Sequence, residues 1–282
     1  MQKRIELPMS PGPIGVFDSG YGGLTILRQI RKAMPQYDYL YLGDNARAPY
    51  GTRSFDVVYE FTLQAVRYLF EQGCHLVILG CNTASAKALR TIQQHDLPIL
   101  DAGRRVLGVI RPTVECVGEL SSTGHVGLLA TPGTVRSRTY EMEIAKLYPA
   151  MTVTSLPCPM WVSLVENNEH MSPGADYFVR ERIDTIMEMD PRIDCLILGC
   201  THFPLLIDKI NTYVPEGVKV ISQGQYVADS LRDYLSRHTD MEALATKNGT
   251  VKFLTTEQAV AFQENAATFI GCPLEAQRVF LG

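Results

Sequence analysis

The sequence has neither an excess of basic residues nor a long apolar run. Lysine and arginine number 26 against 30 aspartates and glutamates, so the formal net charge is −4. Binding to the nucleic-acid phosphate backbone needs a basic face, which this balance does not favour. Apolar runs such as LVIL and LLI are far too short to span a bilayer, and the N-terminus MQKRIELPMSPGPIG lacks the apolar segment of a signal peptide. We therefore expect a cytoplasmic protein with no direct nucleic-acid or membrane partner.

The seven cysteines include no CxxC pair. An odd number of cysteines without a secretion signal argues against a disulfide framework, and Cys200-Thr-His202 does not have the spacing of zinc ligands. We therefore predict no bound metal. The sequence also lacks a G-x-G-x-x-G or P-loop fingerprint, so no nucleotide cofactor is predicted. A lysine that forms a Schiff base with a cofactor stays open at this stage.

One phrase occurs twice. Residues 75–83 are HLVILGCNT and residues 194–202 are DCLILGCTH, so Cys81 and Cys200 follow equivalent Ile-Leu-Gly runs. A short apolar run that ends in glycine and precedes a helical pattern is typical of a buried parallel strand. Ligands of open α/β sheets bind at the carboxyl ends of such strands. The repeat therefore predicts one site with a thiol on each side, which suits the removal of a proton from one face of a carbon and its return to the other.

Short apolar runs alternate with helical patterns along the whole chain, and 46% of the residues are hydrophobic and 20% charged. This alternation predicts βαβ units, with parallel sheets covered by helices on both faces. The repeat also pairs the strand at 14–17 with that at 126–130. The predicted strands are IGVF (14–17), YLYL (39–42), LVIL (76–79), PIL (98–100), VGLLA (126–130), VTSL (153–156), LIL (196–198), VKVI (218–221) and VKFL (251–254).

Polar residues follow several of these strands. Asp18 and Ser19 follow the first strand, and a loop shaped by proline and glycine, with Tyr50 and Gly51 at its end, follows the second. We predict that both cysteines open helices, where the helix dipole would lower the pKa of each thiol toward neutrality.

With these residues assembled, the sequence resembles the bacterial glutamate racemases, members of a cofactor-independent Asp/Glu racemase superfamily. The matching phrases, in order, are IGVFDSGYGGLT, YLGDNARAPYG, GCNTASA, PGTVRSRTY, LPCPMWVSLVE and LILGCTHFPLL. The resemblance implies a fold of two pseudo-symmetric flavodoxin-like α/β domains with the active site in the cleft between them. Its implied boundaries are a loose arm at 1–12, a first domain of 13–107 plus 222–282, and a second domain of 108–221.

The resemblance also implies the activity and its residues. The reaction is interconversion of L- and D-glutamate without a cofactor, supplying D-glutamate for peptidoglycan, by a protein that is a homodimer in this family. One cysteine acts as a thiolate that removes the α-proton while the opposite thiol delivers one. The implied catalytic residues are Cys81, Cys200, Asp18, His202 and Glu166, and the implied substrate contacts are Asp18, Ser19, Tyr50, Gly51, Asn82, Thr83, Thr134, Thr201 and His202.

Other functions compete with this one. A related racemase or isomerase for aspartate, hydantoins or maleate would share the two-cysteine plan. The Cys-Thr-His ending at His202 resembles the glutamate enzymes, whereas aspartate racemases carry Cys-Thr-Glu. Some members of the family also inhibit DNA gyrase, so contact with gyrase is a secondary hypothesis that the sequence leaves open. Thiol redox chemistry is disfavoured because the two cysteines do not form a CxxC pair.

Overall fold

The computed structural model describes residues 10–282. Within this range ten strands form, and they follow the predicted alternation with helices. The strands are β1 (Ile14–Asp18), β2 (Tyr39–Gly43), β3 (Leu76–Leu79), β4 (Arg105–Gly108), β5 (His125–Ala130), β6 (Thr152–Pro157), β7 (Cys195–Gly199), β8 (Lys219–Ile221), β9 (Val251–Thr255) and β10 (Ala276–Arg278).

The helices are α1 (Gly23–Ala33), α2 (Phe55–Glu71), α3 (Asn82–Lys87), α4 (Leu89–Thr91), α5 (Leu97–Leu100), α6 (Ile110–Glu115), α7 (Val117–Leu120), α8 (Pro132–Ser137), α9 (Thr139–Leu147), α10 (Trp161–Glu166), α11 (Pro173–Met189), α12 (Ile207–Tyr213), α13 (Gly224–Arg237), α14 (Thr239–Ala243) and α15 (Ala259–Ile270). Two 3₁₀ helices (Asn45–Arg47 and Phe203–Leu206) and one π-helical stretch (Ile92–Asp96) complete the list. None of the helices within residues 10–282 is both long and apolar enough to cross a bilayer.

The strands form two parallel sheets. The first has the order β10-β9-β2-β1-β3-β4 and the second β6-β5-β7-β8. In each sheet the first strand in sequence lies between the second and the third, which is the flavodoxin-like order. The strand order reverses between β1 and β3 and between β5 and β7, and ligands of such folds bind at this point. The predicted fold class and the internal repeat are therefore confirmed.

Four of the central strands are buried along their whole length. β1, β2, β3 and β7 expose no residue, because helices cover both faces of each sheet. This double burial explains why their sequences are continuous apolar runs without alternation.

The chain crosses from the first sheet to the second after β4 and returns after β8, through α13, to add β9 and β10. These crossings are compatible with the predicted domains, whose boundaries stay a prediction. The predicted loose arm lies outside the described residues except for 10–12. Those last residues are not loose, because Gly12 pairs with Ala245 and its N–H donates to the Leu244 carbonyl at 2.9 Å.

One local prediction was wrong. Residues 98–100 belong to α5, and the fourth strand of the first sheet is β4. The side chains of Ile99 and Leu100 are 85% and 37% exposed, so this apolar run has no core to line as a strand. α8 and α9 are separated at Arg138, whose φ of 54° is left-handed.

Candidate active site

Both repeated cysteines line one cavity between the two sheets. The cavity has a volume of about 200 Å³ and receives residues from the carboxyl ends of β1, β3, β5, β6 and β7. Larger cavities of about 590 and 680 Å³ lie elsewhere and contain neither cysteine. Of the predicted site residues, those that line the smaller cavity are Asp18, Ser19, Tyr50, Gly51, Cys81, Asn82, Thr83, Glu166, Cys200, Thr201 and His202.

Cys81 follows β3 and caps the N-terminus of α3. Its sulfur accepts a hydrogen bond from the Ala84 N–H at 3.5 Å and lies 3.4 Å from the hydroxyl oxygen of Ser19. The predicted position at a helix start is therefore confirmed. The predicted direction of its pKa is wrong: burial, and then the nearby charge of Asp18, raise the pKa of Cys81 to about 12. Removal from water and a carboxylate outweigh one N–H donor and a helix of less than two turns.

Asp18 ends β1 on the same side of the cavity. Its Oδ2 accepts the Gly20 N–H at 2.9 Å, while Oδ1 is buried and has no hydrogen-bond partner among residues 10–282. Burial raises the pKa of Asp18, and the positive charge of His202 offsets only part of this effect. An acid with a raised pKa and a free oxygen beside a thiol is suited to hold or release a proton there.

The Cys200 side has a different set of groups. The Cys200 sulfur lies 3.8 Å from Nδ1 of His202, and the opposite ring nitrogen, Nε2, lies 2.8 Å from Oε1 of Glu166. Burial opposes a positive charge on His202, but its hydrogen bonds to Cys200 and Glu166 outweigh that cost and hold the pKa of His202 well above its ordinary range. The groups beside the two cysteines thus differ in chemistry, as the residues after each cysteine predict.

Cys200 does not open a helix as predicted. A turn at Thr201 and His202 separates it from the 3₁₀ helix at Phe203–Leu206, and the α-helix begins only at Ile207. Proline at the second position of the 3₁₀ helix contributes no N–H, so the backbone donors available to the sulfur differ from those at Cys81.

The first turn of α1 packs tightly against the Cys200 loop. A Cβ added to Gly22 would lie 2.3 Å from Oγ1 of Thr201 and 2.5 Å from Nδ1 of His202. The Thr25 hydroxyl also donates to the Thr201 carbonyl at 3.0 Å. Glycine at position 22 therefore allows the start of α1 to pack directly against Thr201 and His202.

Two predicted substrate contacts have other partners. The Tyr50 side chain is buried, and its hydroxyl donates to the carboxylate of Asp44, which also accepts from Arg47 Nε at 2.7 Å. Tyr50 therefore contributes its ring to the cavity wall, and its hydroxyl is already bonded. Gly51 accepts the Gly133 N–H at 2.7 Å and so joins its loop to the second half.

Thr134 lies behind the cavity wall and does not line it. Its buried hydroxyl oxygen lies 3.1 Å from that of Thr131 and 3.4 Å from that of Thr83. Thr131, which follows β5 directly, lines the cavity in its place. The carboxyl end of a central strand faces the cleft, whereas a residue one helical turn later does not.

Sequence reasoning missed three further residues. Cys158 follows β6 and adds a third thiol to the cavity wall. Asp44 lies beneath the Tyr50 loop, and Gln223 contacts Asn82 from outside the cavity. Position directly after a predicted strand was a usable signal for Cys158 and Asp44, but nothing local in the sequence indicates that Gln223 contacts a residue 141 positions away. Among residues 10–282, no three His, Cys, Asp or Glu side chains are grouped as metal ligands.

The chain is similar to known proteins in sequence and in fold. Residues 24–231 match the family model described as Asp/Glu/Hydantoin racemase. A glutamate racemase from Dinoroseobacter shibae is 40% identical over 94% of this chain and 98% of its own length. The crystal structure of glutamate racemase isoform RacE1 from Bacillus anthracis is similar with a TM-score of 0.87 at 32% identity, covering 96% of this chain and 98% of that one. That of glutamate racemase from Francisella tularensis, in complex with D-glutamate, gives 0.85 at 32% identity over 98% and 99% of the two chains.

Proposed function

The chain belongs to the Asp/Glu/Hydantoin racemase family and is an amino-acid racemase, and from this premise we propose that it interconverts L-glutamate and D-glutamate by proton transfer between two cysteines. The observation that carries the proposal is the cavity with Cys81 on one side and the Cys200–His202–Glu166 chain on the other. Relatives named glutamate racemase that align along nearly the whole chain support glutamate as the substrate.

In each direction one cysteine removes the α-proton and the other donates a proton to the opposite face. With L-glutamate, the Cys200 thiolate takes the α-proton and becomes a thiol, while the Cys81 thiol donates a proton to the opposite face and becomes a thiolate. With D-glutamate the same two transfers run in reverse. The high pKa of Cys81 keeps it a thiol at rest, and positively charged His202 beside the Cys200 sulfur stabilises negative charge there. Asp18 assists Cys81 with its free oxygen, and Glu166 orients His202.

Positioning and fixed hydrogen bonds lower the barrier to removing a weakly acidic α-proton. Ser19, Asn82, Thr83 and Thr201 line the cavity and supply polar groups for the carboxylates and the amino group. The described residues of the cavity wall include no lysine, the residue that pyridoxal-phosphate enzymes use to hold their cofactor. The proposal therefore assigns both proton transfers to protein side chains.

Single replacements test the cysteines. We expect Cys81→Ser and Cys200→Ser each to reduce racemisation of either enantiomer by more than about a thousandfold, because the two thiols act as one unit. Circular dichroism of purified protein mixed with L-glutamate, D-glutamate or L-aspartate measures the activity. Cys272→Ser, at an exposed thiol outside the cavity, is the matched control and should be fully active. A Cys200→Ser variant that kept most of its activity in both directions would refute the assignment.

Isotope exchange tests the two-base step directly. In deuterium oxide, two monoprotic thiols on opposite faces should deliver solvent deuterium to the product, while substrate recovered at low conversion keeps its α-hydrogen. A single base that serves both faces would label substrate and product alike. Faster turnover of L-aspartate than of L-glutamate would replace glutamate as the substrate and leave the two-cysteine chemistry intact.

The cellular role follows from the same proposal. The product D-glutamate would be supplied to peptidoglycan synthesis in the cytoplasm, by a protein that forms a homodimer as the family resemblance implies. The net charge of −4 gives no positive support to inhibition of DNA gyrase. We therefore do not extend the proposal to gyrase.

A further inference from the structure

A buried group of polar side chains outside the cavity joins the two halves at Asn82. Nδ2 of Asn82 donates to Oε1 of Gln223 at 2.6 Å, and Oδ1 of Asn82 accepts the Tyr140 hydroxyl at 2.7 Å. Gln223 Nε2 in turn donates to the hydroxyl oxygens of Tyr140 at 2.6 Å and of Thr113 at 2.9 Å. All four side chains are at most 2% exposed, so water does not compete for these bonds.

Two members of this network come from the two crossings of the chain, and one comes from each half. Thr113 lies in α6, on the way from the first sheet to the second, and Gln223 immediately precedes α13, on the way back. Tyr140 lies in α9 beside the second sheet, and Asn82 opens α3 after the first. Through these hydrogen bonds, the orientation of Asn82, which follows Cys81, depends on the relative position of the two halves.

The donors and acceptors permit one arrangement. The Thr113 hydroxyl donates to the Val109 carbonyl at 2.8 Å, so its oxygen can only accept from Gln223. The nitrogen of Gln223 must therefore face Thr113, and its oxygen must face Asn82. Asn82 then presents Nδ2 to Gln223 and Oδ1 to Tyr140. The two N–H groups of Gln223 are shared among three oxygens, those of Tyr140, Thr113 and Asn82, the last at 3.1 Å. The oxygen of Asn82 thus faces Tyr140 and Gln223, and its second N–H has no partner among residues 10–282, on a side chain that lines the cavity.

We propose that Gln223, Thr113 and Tyr140 are positioning residues that fix the amide of Asn82 so that it offers a donor, and no acceptor, to the substrate. Such a donor binds a carboxylate of the amino acid and rejects its ammonium group. This inference rests on the proposed function and adds to it how one polar contact is oriented. The hydrogen bond from Asn82 to the carboxylate would be present in the ground state and in the transition state alike. Its loss should therefore raise KM more than it lowers kcat.

Near-isosteric variants test the proposal. For Gln223→Met and for Thr113→Val we expect KM for both glutamate enantiomers to rise roughly tenfold. This factor corresponds to the lower end of the free energy of a hydrogen bond to a charged group. We expect kcat to change by less than about threefold. The double variant should be no worse than the single ones, since both act through the same amide. Thr113→Ser keeps the hydroxyl and should restore a normal KM.

Thr139→Val is the matched control. The Thr139 hydroxyl also joins the two halves, by donating to the Ala86 carbonyl at 3.1 Å, and it does not contact Asn82. Its KM should be normal, which separates orientation of the amide from docking of the halves. Thermal unfolding of each variant checks the fold, and the Thr113→Val and Thr113→Ser pair decides the matter even if Gln223→Met does not fold.

The outcomes distinguish the two levels of inference. Absence of glutamate turnover in the unmodified protein refutes the proposed function itself. Normal turnover of the unmodified protein with an unchanged KM in folded Thr113→Val refutes the positioning role alone. A Thr113→Ser variant as impaired as Thr113→Val, or a Thr139→Val variant with the same rise in KM, refutes it as well.

Discussion

Replacing Glu166 by glutamine removes a charge next to His202 and little else. The Glu166 carboxylate lies 2.8 Å from the His202 ring, and their side chains are 25% and 6% exposed. An opposite charge at this distance shifts a pKa by about one to three units, and the exposure of Glu166 favours the lower end. One unit corresponds to about 1.4 kcal/mol, so we expect kcat/KM to fall roughly tenfold.

The pH profile carries the sharper test. The pKa of His202 is raised in the folded protein, and the glutamine variant lowers it, so the imidazolium loses its proton at a lower pH. The alkaline limb of kcat/KM should therefore move to lower pH by about one unit. Because two enantiomers have equal free energies in water, their equilibrium constant is one, and kcat/KM must fall by the same factor in both directions.

The difference in stability between the parent protein and the Glu166→Gln variant should also depend on pH. The raised pKa means that the His202 pair stabilises the fold fully below the unfolded pKa of about 6.5, and that this contribution is lost as pH rises through the folded pKa. The glutamine variant should thus be less stable than the parent in mild acid and equally stable in strong alkali. Glu169→Gln makes the same change at an exposed residue and is the control. An unmoved alkaline limb, or an equal shift in the control, refutes the role given to Glu166.

Three further changes test other parts of the site and fold. Gly22→Ala should reduce kcat/KM roughly a hundredfold, because the new Cβ would displace His202, and overpacking should lower the free energy of unfolding by about 1–3 kcal/mol. Asp44→Ala should lower the free energy of unfolding in urea by about 3 kcal/mol, because it leaves the buried Tyr50 hydroxyl and a neighbouring arginine without their acceptor. Asp38 is partly removed from water, but the several hydrogen bonds that it accepts outweigh this effect and lower its pKa. Its carboxylate should therefore stabilise the fold above pH about 4, and this stabilisation should be lost as the pH falls below that value. Asp38→Asn should lack it at every pH.

Each change has its own control or contrary outcome. Gly174→Ala, where a new Cβ would come no closer than 3.5 Å to its nearest neighbour, Oγ of Ser172, should leave activity normal. Tyr50→Phe leaves Asp44 paired with Arg47 and should cost only about 1 kcal/mol, so equal losses for Tyr50→Phe and Asp44→Ala would contradict the shared-acceptor argument. An Asp38→Asn variant with the acid sensitivity of the parent would show that other carboxylates control acid unfolding.

Much of the fold and of the cavity wall was predictable from local pattern. Short apolar runs predicted eight of the strands. The runs are continuous in β1, β2, β3 and β7, because a strand covered on both faces has no polar side. Position at the end of such a strand placed Asp18 and Cys81 at one edge of the first sheet, because parallel strands that share a sheet end at the same edge. The repeat placed Cys200 at the equivalent edge of the second sheet. The run at 98–100 failed because short apolar runs do not distinguish a strand from a helix.

Electrostatic state was not predictable in this way. The position of Cys81 at a helix start predicted a lowered pKa, and burial beside Asp18 raised it instead. A pKa depends on depth and on charges brought together by folding, and neither quantity is written in the residues next to the cysteine.

The sequence by itself therefore determined the two related halves, the thiol at the end of each and the unlike companions that follow them, because these depend on local order and spacing. Only the tertiary structure decided three hydrogen bonds: that between Glu166 and His202, that from the Tyr50 hydroxyl to Asp44, and that from Asn82 to Gln223. Hydrogen bonds between side chains act over about 3 Å and depend on how separate elements pack, so residues 141 positions apart give no sign of their contact until the chain has folded.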